Sequence, residues 1–431
     1  MMNTIEGGVT AAKGFMAASA EAGIKYKNRA DMALVYTESP AVCAGTFTTN
    51  VVKAAPVWWD KEIVESKKDV HAVVLNSGIA NACTGGEGKE INEYMASQIA
   101  EALGVSTKEV LTASTGVIGM QIKKEPIQKG AKLLKDALAD TKEAGLLAAK
   151  AIMTTDTVPK EVADGVKAGN AAAKAIMTTD THEKEVAVEF EVGGKTVTIG
   201  GMCKGSGMIH PNMATMLSVT TTDAKISHDL LQEMVSEIVS DSFNMISVDR
   251  DTSTNDTYLV LANGESGVEI KAGTNGYVKF KEALSFVATD LAKQMAADGE
   301  GATRLMEVRA VHCKNKEEAK IFSKSVVTSN LVKAMVFGKD ANWGRVLCAL
   351  GYSGADFDPD VIDLILEAED EQIVLVKDGV PTDYSEDEAT ILLGKDAVTF
   401  ICDMKQGDAS AIAWGCDLTY DYVKINGDYR S

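Results

Sequence analysis

Residues 186 to 217 constrain the fold of this chain more than any other stretch. V-A-V-E-F-E-V (186–192) and K-T-V-T-I (195–199) alternate apolar and polar side chains around Gly193-Gly194, which predicts two antiparallel strands joined by a two-residue turn. The second strand runs into K-G-S-G-M-I-H-P-N-M-A-T-M-L (204–217), where Gly205 and Gly207 permit close backbone approach and Pro211-Asn212 predicts a turn ahead of the next apolar run. Thr215, taken alone, reads as an ordinary strand residue, because β-branched side chains pack well in sheets. Cleavage of the Ala214–Thr215 bond would change its chemistry. Thr215 would then carry a hydroxyl nucleophile and a free α-amine on one residue, and no histidine would be needed between base and nucleophile.

Apolar spacings of three and four predict helices around 91–103, 127–138, 227–239, 278–295 and 316–332. Residues 73–75, 257–261, 305–311 and 373–376 read as strands. Strands and helices interleave in both halves, so an α/β layered protein is expected, long enough for two lobes. A net charge of −19 argues against nucleic acid or an anionic membrane as partner. Neither a membrane span nor a leader pattern is evident, which predicts a cytoplasmic location. The seven cysteines are scattered without a C-x-x-C pair, and the five histidines form no H-E-x-x-H, so no metal site is expected. His210 neighbours the candidate nucleophile, but its proximity in sequence is weak ground for a catalytic role, and none is expected of it.

The A-T segment does not stand alone. N-S-G-I-A-N-A-C-T-G (76–85), S-T-G-V-I-G (114–119), D-T-S-T-N-D-T (251–257), G-E-G-A-T (299–303), G-K-D-A-N-W-G-R (338–345) and Y-V-K-I-N (422–426) accompany it in order along the chain. Together with 204–217 they resemble the ornithine acetyltransferases, the glutamate N-acetyltransferases of arginine biosynthesis. The resemblance implies a four-layer α-β-β-α fold similar to N-terminal nucleophile hydrolases. It also implies self-cleavage into chains 1–214 and 215–431, assembled as a heterotetramer of two of each. Thr215 would be the nucleophile that carries acetyl from N2-acetylornithine to glutamate. Thr115 and Gly116 would form the oxyanion hole, a sensible pairing of an unhindered amide with a hydroxyl. Thr178, Lys204, Glu300, Asn426 and Ser431 would contact substrate, Lys204 through the α-carboxylate and Glu300 through an ammonium. No metal or bound cofactor is implied, and acetyl-coenzyme A is compatible as an alternative donor.

From the residues alone, Thr115-Gly116 also reads as a tight turn at a strand end, and Lys204 and Glu300 as solvated loop charges. Gly205-Ser-Gly207 after Lys204 has the wrong order for a phosphate loop and lacks the third glycine of a dinucleotide fingerprint. An amidase or aminopeptidase that passes its acyl group to water, and an uncleaved binding protein, remain alternatives. Two departures from the family pattern stand out. Arg250 occupies a position where the family commonly has glycine. A-A-K-A-I-M-T-T-D-T occurs twice, at 148–157 and 172–181, offset by 24 residues, which reads as a tandem duplication within 148–181. The substrate-contacting threonine is therefore Thr154 or Thr178. Thr178, 37 residues before Thr215, matches the uninterrupted spacing.

Overall fold

A computed structural model describes residues 2–25, 27–140, 180–210 and 216–427. The chain divides into two compact units, each with its own sheet. Unit 1 comprises Met1–Gly205, Asn212–Ser240 and Thr252–Leu291, and unit 2 comprises Ser206–Pro211, Asp241–Asp251 and Ala292–Ser431.

The sheet of unit 1 has nine strands. Their order is β1 (Met2–Ile5), β6 (Lys184–Val192), β7 (Lys195–Lys204), β8 (Leu217–Thr222), β10 (Thr257–Ala262), β3 (Met32–Phe47), β4 (Val70–Asn76) and β5 (Val110–Ser114), with β2 (Phe15–Ala20) paired to β3. Gly193 and Gly194 join β6 to β7 with φ of 60° and 77°, the left-handed pair that a two-residue hairpin turn demands. The 16-residue β3 changes partners along its length: its first part pairs with β2 and β4, and after a register shift between Tyr36 and Ala41 its second part pairs with β10.

The two halves of this sheet face each other. Val35, Val73, Leu75 and Leu111 share one core with Met202, Leu217, Val219, Leu259 and Leu261. Their strand neighbours Leu34, Val74 and Val110 point the opposite way, onto Ile91, Met95 and Ile99 of helix Gly85–Leu103 and Ile127 and Leu134 of helix Lys124–Asp136. Such alternation follows from the two-residue period of a strand. Helix Asn275–Ala297 covers the outer face of β6 and β7: Phe280 meets Phe190 edge-on at 6.4 Å, and a Cβ added at Gly201 would touch Leu291. The expected α-β-β-α layering is thus present within unit 1.

Unit 2 holds a seven-stranded sheet in the order β14 (Val380–Pro381), β13 (Glu371–Lys377), β12 (Asp363–Ala368), β15 (Ala397–Asp403), β11 (Leu305–Cys313), β16 (Ala409–Cys416) and β9 (Ile246–Ser247). Helix Lys316–Val327 packs on β11 and β16 through Ala319, Phe322 and Val326. The single helix expected over 316–332 is in fact two. Lys316–Val327 ends at Thr328, and Ser329 starts Asn330–Gly338 by accepting the Val332 amide on its side chain. Among the described residues no helix is long and apolar enough to cross a membrane.

Candidate active site

In unit 1, the parallel ladder of β4 and β5 ends at Asn76 opposite Ser114, and the sequence that follows carries Thr115 and Gly116. The Thr115 amide donates to the Asn76 carbonyl at 3.0 Å, and the chain then turns at Gly116 with φ of 128°. It is caught again when the Val117 amide donates to Gly78 at 3.1 Å and Val117 accepts from Ala80 at 2.9 Å. A Cβ at Gly116 would lie 2.3 Å from the Gly78 carbonyl carbon, so both the dihedral and the neighbouring backbone require glycine. Thr115 and Gly116 are half-buried, and among the described residues neither the Gly116 amide nor the Thr115 hydroxyl has a hydrogen-bond partner. Two donors on adjacent residues are therefore left without a partner among the described residues.

Lys204 closes β7 opposite Leu217, the first residue of β8. Its Nζ lies 3.8 Å from Asp180 Oδ2, while Asp180 Oδ1 accepts from Lys184 Nζ at 2.6 Å and from the Gly205 amide at 2.7 Å. The Asp180 and Lys184 side chains are fully buried. Burial alone would raise the Asp180 carboxyl, yet the ammonium groups of Lys184 and then Lys204 hold it well below the usual carboxylate range. Asp180 is the penultimate residue of the second copy of the duplicated segment. Asp180 itself lies at the Lys204 end of β7. Thr178, Thr154 and the first copy lie outside the described residues, as do Ala214, Thr215 and Ser431.

In unit 2, Glu300 is buried and anchored through its own amide, which donates to the Ser206 carbonyl at 2.9 Å. Glu300 Oε2 accepts from Asn426 Nδ2 at 2.8 Å, so two of the expected substrate residues are in direct contact. Gly207 leaves room for that carboxylate: a Cβ there would sit 2.2 Å from Glu300 Cδ. Asp249 accepts the Met208 and Ile209 amides at 2.6 and 2.9 Å and orients the same segment. Arg250 adopts φ of 70°, the left-handed region that favours glycine, which gives a physical reason for glycine at this position in the family pattern. His210 Nδ1 lies 3.0 Å from Ser247 Oγ. Burial, then the charges of Lys324 and Arg250, push its imidazole down to about 4, so it is neutral at physiological pH.

Asp180 and Lys184 had no role on sequence grounds. Asp180 could have been singled out, because it lies in a segment repeated identically. Lys184 carried no such signal. Among the described residues no group of three or more His, Cys, Asp and Glu side chains is placed to hold a metal ion.

The chain matches the ArgJ family over residues 16–171 and 163–431, two spans that overlap within the duplicated region. It is 47% identical over 418 residues to the arginine biosynthesis bifunctional protein ArgJ 1 of Clostridium acetobutylicum, covering 97% of this chain and 96% of that one. Identity to the arginine biosynthesis bifunctional protein ArgJ of Symbiobacterium thermophilum is also 47%, over the whole of both chains. The glutamate N-acetyltransferase of Methanocaldococcus jannaschii is 44% identical, again over the full length of both. This chain belongs to the ArgJ family.

Proposed function

We propose that this protein is a self-cleaving, soluble cytoplasmic acetyltransferase that moves the acetyl group of N2-acetylornithine to glutamate. The observation that carries the reading is the Thr115–Gly116 turn, with a backbone amide and a hydroxyl unpartnered among the described residues and aligned by the β4–β5 ladder. Full-length identity to ArgJ proteins and to a glutamate N-acetyltransferase supports the choice of acyl group and acceptor.

In maturation, Thr215 Oγ attacks the Ala214 carbonyl, the bond to the Thr215 nitrogen breaks, and that nitrogen takes the hydroxyl proton. Water hydrolyses the resulting ester, leaving the Ala214 carboxylate and a free Thr215. The new α-amine, with an ordinary pKa of about 7.7 to 8.0, accepts a proton near neutral pH. In transfer, Thr215 Oγ attacks the acetyl carbonyl of N2-acetylornithine, its proton passing through the α-amine to the departing ornithine amine. Glutamate's amine then attacks acetyl-Thr215 and regenerates the hydroxyl, a ping-pong sequence. Thr115 and Gly116 stabilise the tetrahedral oxyanion in each half, with such donors worth about 2.7 to 4 kcal/mol apiece in the transition state.

Lys204 pairs with a substrate carboxylate, Glu300 aligned by Asn426 pairs with an ammonium, and Thr178 and Ser431 add hydroxyl contacts. The reaction uses no metal or bound cofactor, and acetyl-coenzyme A serves as a second donor to the same ester. The cleaved chains assemble as two copies of each. Incubation with N2-acetylornithine and glutamate tests the reading: N-acetylglutamate and ornithine should accumulate together. Release of acetate in place of N-acetylglutamate would make the protein an amidase.

A further inference from the structure

Asn255 belongs to the D-T-S-T-N-D-T segment that leads into β10, and the residue is 7% exposed. Its amide nitrogen donates to two backbone carbonyls, Ser114 at 2.8 Å and Ala80 at 2.6 Å. Ser114 immediately precedes Thr115, and Ala80 is the residue whose amide catches Val117 on the far side of the turn. Asn255 Oδ1 accepts from Thr254 Oγ1 at 2.6 Å, which fixes which end of the amide faces the carbonyls. On the near side Asn76 makes a matching clamp: its Oδ1 accepts from Ser114 Oγ at 2.7 Å and its Nδ2 donates to Ile79 at 2.9 Å. The strand that follows Asn255, β10, also pairs with the backbone just beyond residues 214 and 215. The Thr257 amide donates to the Met216 carbonyl at 2.9 Å, and Thr257 pairs with Leu217.

We propose that Asn255 is a positioning residue for acetyl transfer: by bridging the Ser114 and Ala80 carbonyls it holds the Thr115 hydroxyl and Gly116 amide in the geometry that receives the oxyanion. The proposal rests on the oxyanion role given above to Thr115 and Gly116. Removing the amide leaves two buried carbonyls without their donor, and the turn can then relax at the one place where its geometry enters the transition state. Displacement of reacting geometry by about 1 Å costs on the order of 100-fold in rate, far more than it costs in substrate affinity.

The test is steady-state kinetics of full-length protein incubated to complete cleavage, with N2-acetylornithine and glutamate as substrates, for Asn255→Ala, Asn255→Asp, Thr115→Ala and the Asn255→Asp/Thr115→Ala double variant. Asn255→Asp keeps the side-chain size and loses both donors, so it carries the test if Asn255→Ala does not fold. The expected result is a fall in kcat of about 10- to 100-fold with KM for N2-acetylornithine within about twofold. The double variant should be slowed by less than the product of the two single effects. Normal kcat in Asn255→Asp alongside a slow Thr115→Ala removes the positioning role alone. Normal kcat in Thr115→Ala removes the oxyanion reading itself. Failure of both Asn255 variants to fold, folding without maturation, or equal changes in kcat, KM and thermal stability would each overturn the assignment, because Asn255 would then serve the fold or the cleavage step.

Discussion

At Gly116 the atoms that would collide with a side chain belong to the backbone of Gly78 and Ile79, 2.3 to 2.7 Å from where a Cβ would sit. At Gly207 the colliding atoms are those of the Glu300 carboxylate, the movable end of a side chain. The first glycine is locked by a hydrogen-bonded ladder that cannot give way without unpairing buried amides. The second accommodates a charged group whose position also depends on Asn426. The difference separates two tasks. Donors meant for a transient charge need rigidity, because they contribute by costing no reorganisation when the charge appears. A carboxylate meant for a substrate ammonium tolerates more adjustment.

The contrast breaks most visibly through the turn itself. Gly116→Ala and Thr115→Ala should each lower kcat by about 10²- to 10³-fold, with KM for N2-acetylornithine little changed. A large rise in KM with normal kcat would make this turn a binding element. Glu300→Gln should do the reverse and raise KM by about tenfold or more, since hydrogen bonds between charged groups are worth ~1.5–3 kcal/mol. Gly207→Ala should follow Glu300→Gln in direction with a smaller shift. If Gly207→Ala instead matched Gly116→Ala in kcat, the distinction between the two glycines would fail.

Asp180 is a rigidly held charge near Lys204. Asp180→Asn leaves Lys184 buried without its carboxylate and loosens Lys204, so it should weaken substrate binding and lower the melting temperature. Asp156→Asn, the same change in the other copy of the duplicated segment, should be close to silent. The reverse ranking would move the working copy to the first repeat and the substrate threonine to Thr154. Because the folded-state carboxyl of Asp180 is depressed, its stabilisation is present above the unfolded value of about 3.9 and is lost as pH falls below it.

The smallest effect concerns His210. Its folded value of about 4 lies below the unfolded value of about 6.5, so the unfolded chain takes up the proton first, and stability declines as pH falls between those limits. An NMR titration should show a neutral His210 ring at pH 5.5. A midpoint near 6.5 would contradict the buried, cation-facing environment described for it.

The periodic parts of this fold were legible before the structure. The Gly193-Gly194 hairpin follows from alternation, β10 and β11 follow from their β-branched and apolar runs, and the helix on Ile91, Met95 and Ile99 follows from spacing. The start of that helix at Gly85 was not legible, because glycines at 85, 86 and 88 read as loop. Nor was the division of 316–332 into two helices, which turns on the capping hydroxyl of Ser329. In the site, Thr115-Gly116, Lys204, Glu300 and Asn426 were identified through motif resemblance. Their roles there depended on family likeness, since a solvated lysine and a buried one look alike in sequence. Asn255 lay in a recognised motif without a role, because its importance comes from two carbonyls 141 and 175 positions away in the chain.

Intact-mass analysis with N-terminal sequencing, on full-length protein incubated alone and then with N2-acetylornithine, reads out self-cleavage and the acetyl-Thr215 ester in one experiment. Two chains are expected, 1–214 and 215–431, the second beginning at Thr215 and gaining one acetyl group that glutamate removes. Thr215→Ala should remain a single chain of 45.7 kDa and acquire no acetyl group. An unprocessed wild-type chain that still transfers acetyl, or a Thr215→Ala chain that still splits between residues 214 and 215, would contradict self-cleavage by Thr215.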